Sequence, residues 1–161
     1  MALGIDRSAT RRALPVGALV MLALLLVQFL AGMFVNLYVS IATGHPGASG
    51  APISGAIRGI AWAIGSGGPA LAFHTALGLS AGSVALLAIA IARRRPALVT
   101  ATAIGLLGVL GAGLSGIGFL NYGFDKATYL MSVGLSVAVA GYAASLFFAS
   151  VPAERRLEQL G

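Results

Sequence analysis

The chain has 161 residues, of which 58% are apolar and 9% charged, with a net charge of +6 and no cysteine. Soluble domains run near half apolar and a quarter charged, so water is not the solvent this composition suits. Without cysteine, disulfides, thiolate ligation and an iron–sulfur cluster held by this chain are excluded.

The apolar residues come in long blocks separated by short polar stretches. In hydrocarbon each block must satisfy its own backbone polar groups, as a helix or as a strand of a closed barrel. The blocks do not alternate, so helices are predicted. A span needs about 20 apolar residues, and four segments reach that length: 14–41, 70–92, 97–120 and 128–151.

The first segment follows Arg7, Arg11 and Arg12, as the apolar run of a secretory signal would. It is about twice the length of a signal's apolar region and no clean Ala-x-Ala pattern follows it. It is therefore read as a helix that stays in the mature protein. Gln28, Gly32 and Asn36 are read as one stripe on it.

A long connection follows, from 42 to 69. Within it Ile53, Ile57, Ile60 and Ile64 fall at i, i+4, i+7 and i+11, one face of a helix over 53–64. Arg58 and Trp62 lie off that stripe, the pattern of a short helix lying at a membrane interface. It either covers the mouth of the bundle or acts as a lid or docking element. His45 stands ahead of it in Thr43-Gly44-His45-Pro46-Gly47.

The second span opens near His74 and carries Gly78-x-x-x-Gly82. Arg93-Arg94-Arg95-Pro96 then turns the chain so sharply that the second and third spans must be antiparallel neighbours. The third span has Gly108, Ala112 and Gly116 at four-residue spacing and ends on Asn121 and Tyr122. The fourth has Ser132, Ser136, Ala140 and Ala144. In lipid, close backbone approach at small residues drives helix association, so these stripes predict a packed bundle with no wide channel. The fold expected is all-α: an up-down-up-down transmembrane four-helix bundle in one domain, with an interfacial helix between spans one and two.

Orientation follows from the arginines. Arg7, Arg11, Arg12, Arg93, Arg94, Arg95, Arg155 and Arg156 fall at one end of such a bundle, and Arg58 and Lys126 at the other. Cytoplasmic loops retain positive charge, which places both termini in the cytoplasm; the richness in Ala, Gly and Arg, similar to that of proteins from high-GC bacteria, points to a bacterial plasma membrane. These arginines read as anchors near lipid headgroups, and no soluble basic face for nucleic acid is present.

Chemistry-bearing residues are few. No Asp, Glu, Lys or Arg falls in the middle of a span, against a proton-driven pump. No serine triad and no phosphate-binding loop can be read. The polar residues gather at the outer end, where Gln28, Asn36, Trp62, Asn121 and Tyr122 outline a polar pocket. The amides there either bridge helices or bind a ligand.

His74 is the sharpest residue, sharing a face with Gly78 and Gly82. It serves either as a hydrogen-bonded interfacial side chain or, with His45, as a ligand for haem b near a quinone pocket. His45, His74 and Asp125 are the candidate ligands for copper or another metal.

The stretch Gln28-Phe29-Leu30-Ala31-Gly32-Met33-Phe34-Val35-Asn36-Leu37-Tyr38-Val39, with His45-Pro46-Gly47-Ala48, Trp62-Ala63, His74, Leu77-Gly78 and Phe119-Leu120-Asn121-Tyr122, resembles an uncharacterised family of small four-helix bacterial integral membrane proteins. The resemblance implies the topology and an outer-face signature, and no activity. The reading drawn from the residues is a membrane accessory or binding subunit rather than an enzyme. Its partners are membrane lipids and other membrane subunits or a second copy. A haem or copper redox protein is the alternative, and a small-solute transporter the third.

Overall fold

The computed structural model describes residues 7–48, 51–93, 95–123 and 126–150, with side chains from residue 14 onward. Asp125, Arg94, Arg155 and Arg156 lie outside the described residues. Five helices are present: α1 Arg7–Tyr38, α2 Pro52–Gly65, α3 Pro69–Ala92, α4 Pro96–Tyr122 and α5 Ala127–Ser150. Four are long and apolar enough to cross a membrane, over Leu14–Tyr38, Pro69–Ala92, Pro96–Tyr122 and Ala127–Ser150. At 1.5 Å per residue they reach about 36 to 40 Å, enough to traverse a hydrocarbon core of about 30 Å.

Local chemistry sets the helix ends. Proline opens α2, α3 and α4, where its missing N–H is one that no helix would satisfy. Gly123 closes α4 in the left-handed region, φ 61°, and its N–H donates to the Phe119 carbonyl. Gly68, φ 83°, makes the turn into α3. The first span is shorter than the apolar run suggests. Beyond Tyr38 only the Val39 N–H continues the ladder, to the Val35 carbonyl, and the chain leaves the helix at residues the sequence reading placed inside it.

The spans pack as a four-membered ring in which α1 touches α3 and α5, and α4 touches the same two. α2 sits on α3 and α4 at one end. We call this the α2 end and the opposite one, bearing Arg93 and Arg95, the arginine end.

Two seams of the ring are built differently. Between α4 and α5 the backbones nearly touch. A Cβ on Gly134 would lie 2.6 Å from the Ala112 nitrogen, one on Gly108 would meet the Ala138 nitrogen, and one on Gly141 the Gly105 nitrogen. The sequence reading found the α4 side of this seam in Gly108 and Ala112 but chose the wrong face of α5. Ser132, Ser136 and Ala140 are exposed, the two serines donating to carbonyls one turn back. Gly134, Ala138 and Gly141 carry the contact because only they let the α4 backbone in.

Between α1 and α3, side chains fill the gap. The inward positions of α1 are Ala18, Met21, Leu25, Gln28, Gly32 and Val35, and those of α3 are Leu71, His74, Gly78, Ala81 and Ala85. Both follow alternating steps of three and four, the spacing of a helix-pairing seam. His74 fills the notch at Gly32, Gln28 the notch at Gly78, and Met21 and Leu25 cluster with Ala81 and Ala85. Large residues on one helix thus face small ones on the other.

Candidate functional site

The sequence-predicted residues fall at the α2 end but not in one cluster. Gln28 and His74 form the first group. The Gln28 Nε2–H donates to His74 Nε2 at 3.4 Å, a long bond that bridges α1 and α3. An amide N–H can only donate, so the ring proton sits on Nδ1, which is buried without a partner among the described residues, as is Gln28 Oε1. Of the two glycines that share a face with His74 in the sequence, Gly78 is taken up by Gln28, 3.1 Å from a Cβ there, whereas a Cβ at Gly82 would meet nothing within 4 Å; the His74 ring itself lies 2.9 Å from a Cβ at Gly32.

Asn36 does not join this stripe. It is exposed at the rim, where its Oδ1 accepts a 3.5 Å bond from the Thr128 hydroxyl of α5. Val35 continues the buried face of α1 in its place.

His45, Trp62 and Asn121 form the second group, at the junction of the loop after α1, α2 and the end of α4. His45 Nε2–H donates to the Leu120 carbonyl at 2.8 Å, and its Nδ1 accepts from the Gly47 N–H at 3.2 Å. A carbonyl only accepts and an amide N–H only donates, so these two bonds suit the tautomer with its proton on Nε2. A metal or haem iron at His45 would have to displace one of these bonds. The ring is 5% exposed and stacks on Trp62, centroids 4.6 Å apart and planes 18° apart. Trp62 is therefore a packing partner of the loop as well as a residue near the boundary.

α2 turns Gly55, Gly59 and Ala63 inward and leaves Ile53, 79% exposed, and Ile57, 64% exposed, facing away from the bundle. The isoleucine stripe is thus the outer face. The glycine face admits the Asn121 amide, which is wedged against Gly59 and Gly47. Asn121 is 4% exposed, and neither Oδ1 nor Nδ2 has a hydrogen-bond partner among the described residues. Beside it opens a cavity of about 530 Å³ lined by Val39, Ile41, Thr43, Ala48, Phe119, Asn121 and Tyr122, among others.

Among the described residues no three His, Cys, Asp or Glu side chains come together as a metal group. The two histidines have different partners, Gln28 for one and Leu120 with Gly47 for the other.

Sequence reasoning missed the polar groups nearer the arginine end. Thr102 and Ser145 share a 3.2 Å hydrogen bond across the α4–α5 seam. Tyr142, 1% exposed, lies across Gly105, its hydroxyl without a partner among the described residues. The signal was available in part: Thr102, Gly105 and Gly108 lie on one face of α4, as do Gly134, Ala138, Gly141 and Ser145 on α5.

Comparison with protein-family models, with curated proteins and with solved structures returns no match.

Proposed function

We propose that the chain is an integral membrane binding or accessory subunit whose recognition site is the α2 end of the bundle. One observation carries this reading: beside the 530 Å³ cavity Asn121 holds two buried polar atoms without partners among the described residues, and Gln28 and His74 hold one each deeper in the bundle. A buried donor or acceptor left unpaired costs about 1 to 3 kcal/mol. Such a cost is offset when a ligand or partner supplies the missing bonds. Nearer the arginine end Thr102 and Ser145 are bonded to each other, and the Tyr142 hydroxyl is the one buried polar atom there without a partner among the described residues.

The cavity carries no charged side chain among its lining residues. A neutral occupant offering both a donor and an acceptor suits it. The arginine distribution supports an extracytoplasmic α2 end with both termini cytoplasmic. The natural chain has no cysteine, so one introduced at Gly44 provides a background-free test of sidedness with an impermeant maleimide.

Native mass spectrometry of the protein extracted in mild detergent tests the binding reading. A ligand or partner subunit is expected on the wild-type chain and at reduced occupancy on Asn121→Leu, with thermal melting confirming that the variant is folded. Turnover of a substrate by the purified chain alone would overturn it. So would a visible haem spectrum or bound copper that His74→Ala removes, which would establish the redox alternative.

A further inference from the structure

A second feature, independent of that reading, lies at the arginine end. The outer side of the α4–α5 seam carries a groove of about 370 Å³ lined by Ala97, Ala101, Ile104, Ala140, Ala144 and Phe148, among others. Its floor is low because α4 and α5 approach so closely at Gly105 and Gly141. It extends from the first turn of α4 to Ile104, seven residues or about 10 Å along the helix. The single lining hydroxyl, Thr100, donates back to the Pro96 carbonyl at 3.1 Å, so the groove makes no polar demand.

The mouth of the groove is cationic. Arg95 is the residue that caps α4, half-buried and two positions before Ala97. No side chain caps that helix start and no acidic residue stands in its first turn, so its free N–H groups and dipole add to the positive potential. Arg93, exposed at the C-terminal cap of α3, lies at the same end. An apolar slot along the membrane normal with a cationic mouth matches one ligand in shape and charge. We propose that it binds an anionic phospholipid, with an acyl chain in the Ala101/Ala140/Ala144 groove and the phosphate at Arg95 and the α4 N-terminus.

The test uses the full chain equilibrated with vesicles of equal phosphatidylglycerol and phosphatidylcholine, with retained lipid read by native mass spectrometry. One well-placed arginine near a headgroup supports about fivefold enrichment of phosphatidylglycerol. Arg95→Gln is expected to bring the ratio close to parity while lipid is still retained. Ala144→Leu, which fills the groove, is expected to lose both lipids, with thermal melting confirming that each variant is folded.

Arg12→Gln removes the same charge elsewhere at this end. If it lowers the ratio as much as Arg95→Gln, the preference belongs to the net charge and the proposal fails. It also fails if wild type retains the two lipids equally, if inorganic phosphate alone displaces phosphatidylglycerol, or if the groove instead holds a second copy, seen as a dimer that Ala144→Leu dissociates.

Discussion

The α4–α5 seam and the α1–α3 seam both depend on glycine, and they use it to opposite ends. In α4–α5 the missing side chain is replaced by the neighbouring backbone, so contact is main chain to main chain at Gly108, Gly134 and Gly141. In α1–α3 it is replaced by a side chain, His74 at Gly32 and Gln28 at Gly78. Lipid offers no hydrophobic reason for helices to associate, so dispersion between close surfaces holds both. The first seam is rigid because a backbone cannot step aside. The second can adapt because rotatable side chains fill it, and there Gln28 Oε1 and His74 Nδ1 lack partners among the described residues.

The largest expected effect tests the rigid seam. Gly141→Leu puts a side chain into the Gly105 backbone and should destabilise the bundle by about 3 kcal/mol or more, at or above the usual range for overpacking. Unfolding by added dodecyl sulfate, followed by far-UV circular dichroism, reads it. A midpoint equal to wild type would show that the seam is not limited by its backbones.

An intermediate effect is expected where a glycine faces a side chain instead. Gly59→Ala meets the Asn121 amide, which can turn away, so the cost should be about 1 to 2 kcal/mol. Adding Asn121→Ala should recover part of it. If the double variant is no more stable than Gly59→Ala alone, the amide is not what occupies the notch.

The smallest effect tests the adaptable seam. Gln28→Met keeps volume, removes a 3.4 Å hydrogen bond and also removes a buried unpaired acceptor. The two changes oppose each other, so the unliganded protein should lose less than about 1 kcal/mol. A loss as large as that of Gly141→Leu would make this bond a structural tie and end the distinction between the seams.

The four spans and the helix in the long loop were legible in the sequence because their signals are length and period, which one chain carries by itself. The faces were harder to assign. Asn36 looked aligned with Gln28, yet eight residues at 3.6 per turn leave it about 80° off, whereas the seven to Val35 leave about 20°. The choice between Ser132/Ser136 and Gly134/Ala138 as the contact face of α5 depended on what α4 presents, a property of the pair. Within α2 the isoleucines drew attention, although Gly55, Gly59 and Ala63 form an equally regular stripe. In lipid the smaller residues mark the inside, the reverse of the habit learned from soluble proteins. The pairing of Gln28 with His74 and the burial of Asn121 arise from antiparallel register, which no single segment encodes.

Trp62 is the only tryptophan in the chain, and its ring rests on His45, which ties the loop after α1 to the end of α4. Tryptophan emission, excited at the red edge where tyrosine does not absorb, is therefore emission from this one clasp. Its colour and lifetime provide an optical gauge of whether the wall of the cavity stays fastened, readable without any added dye.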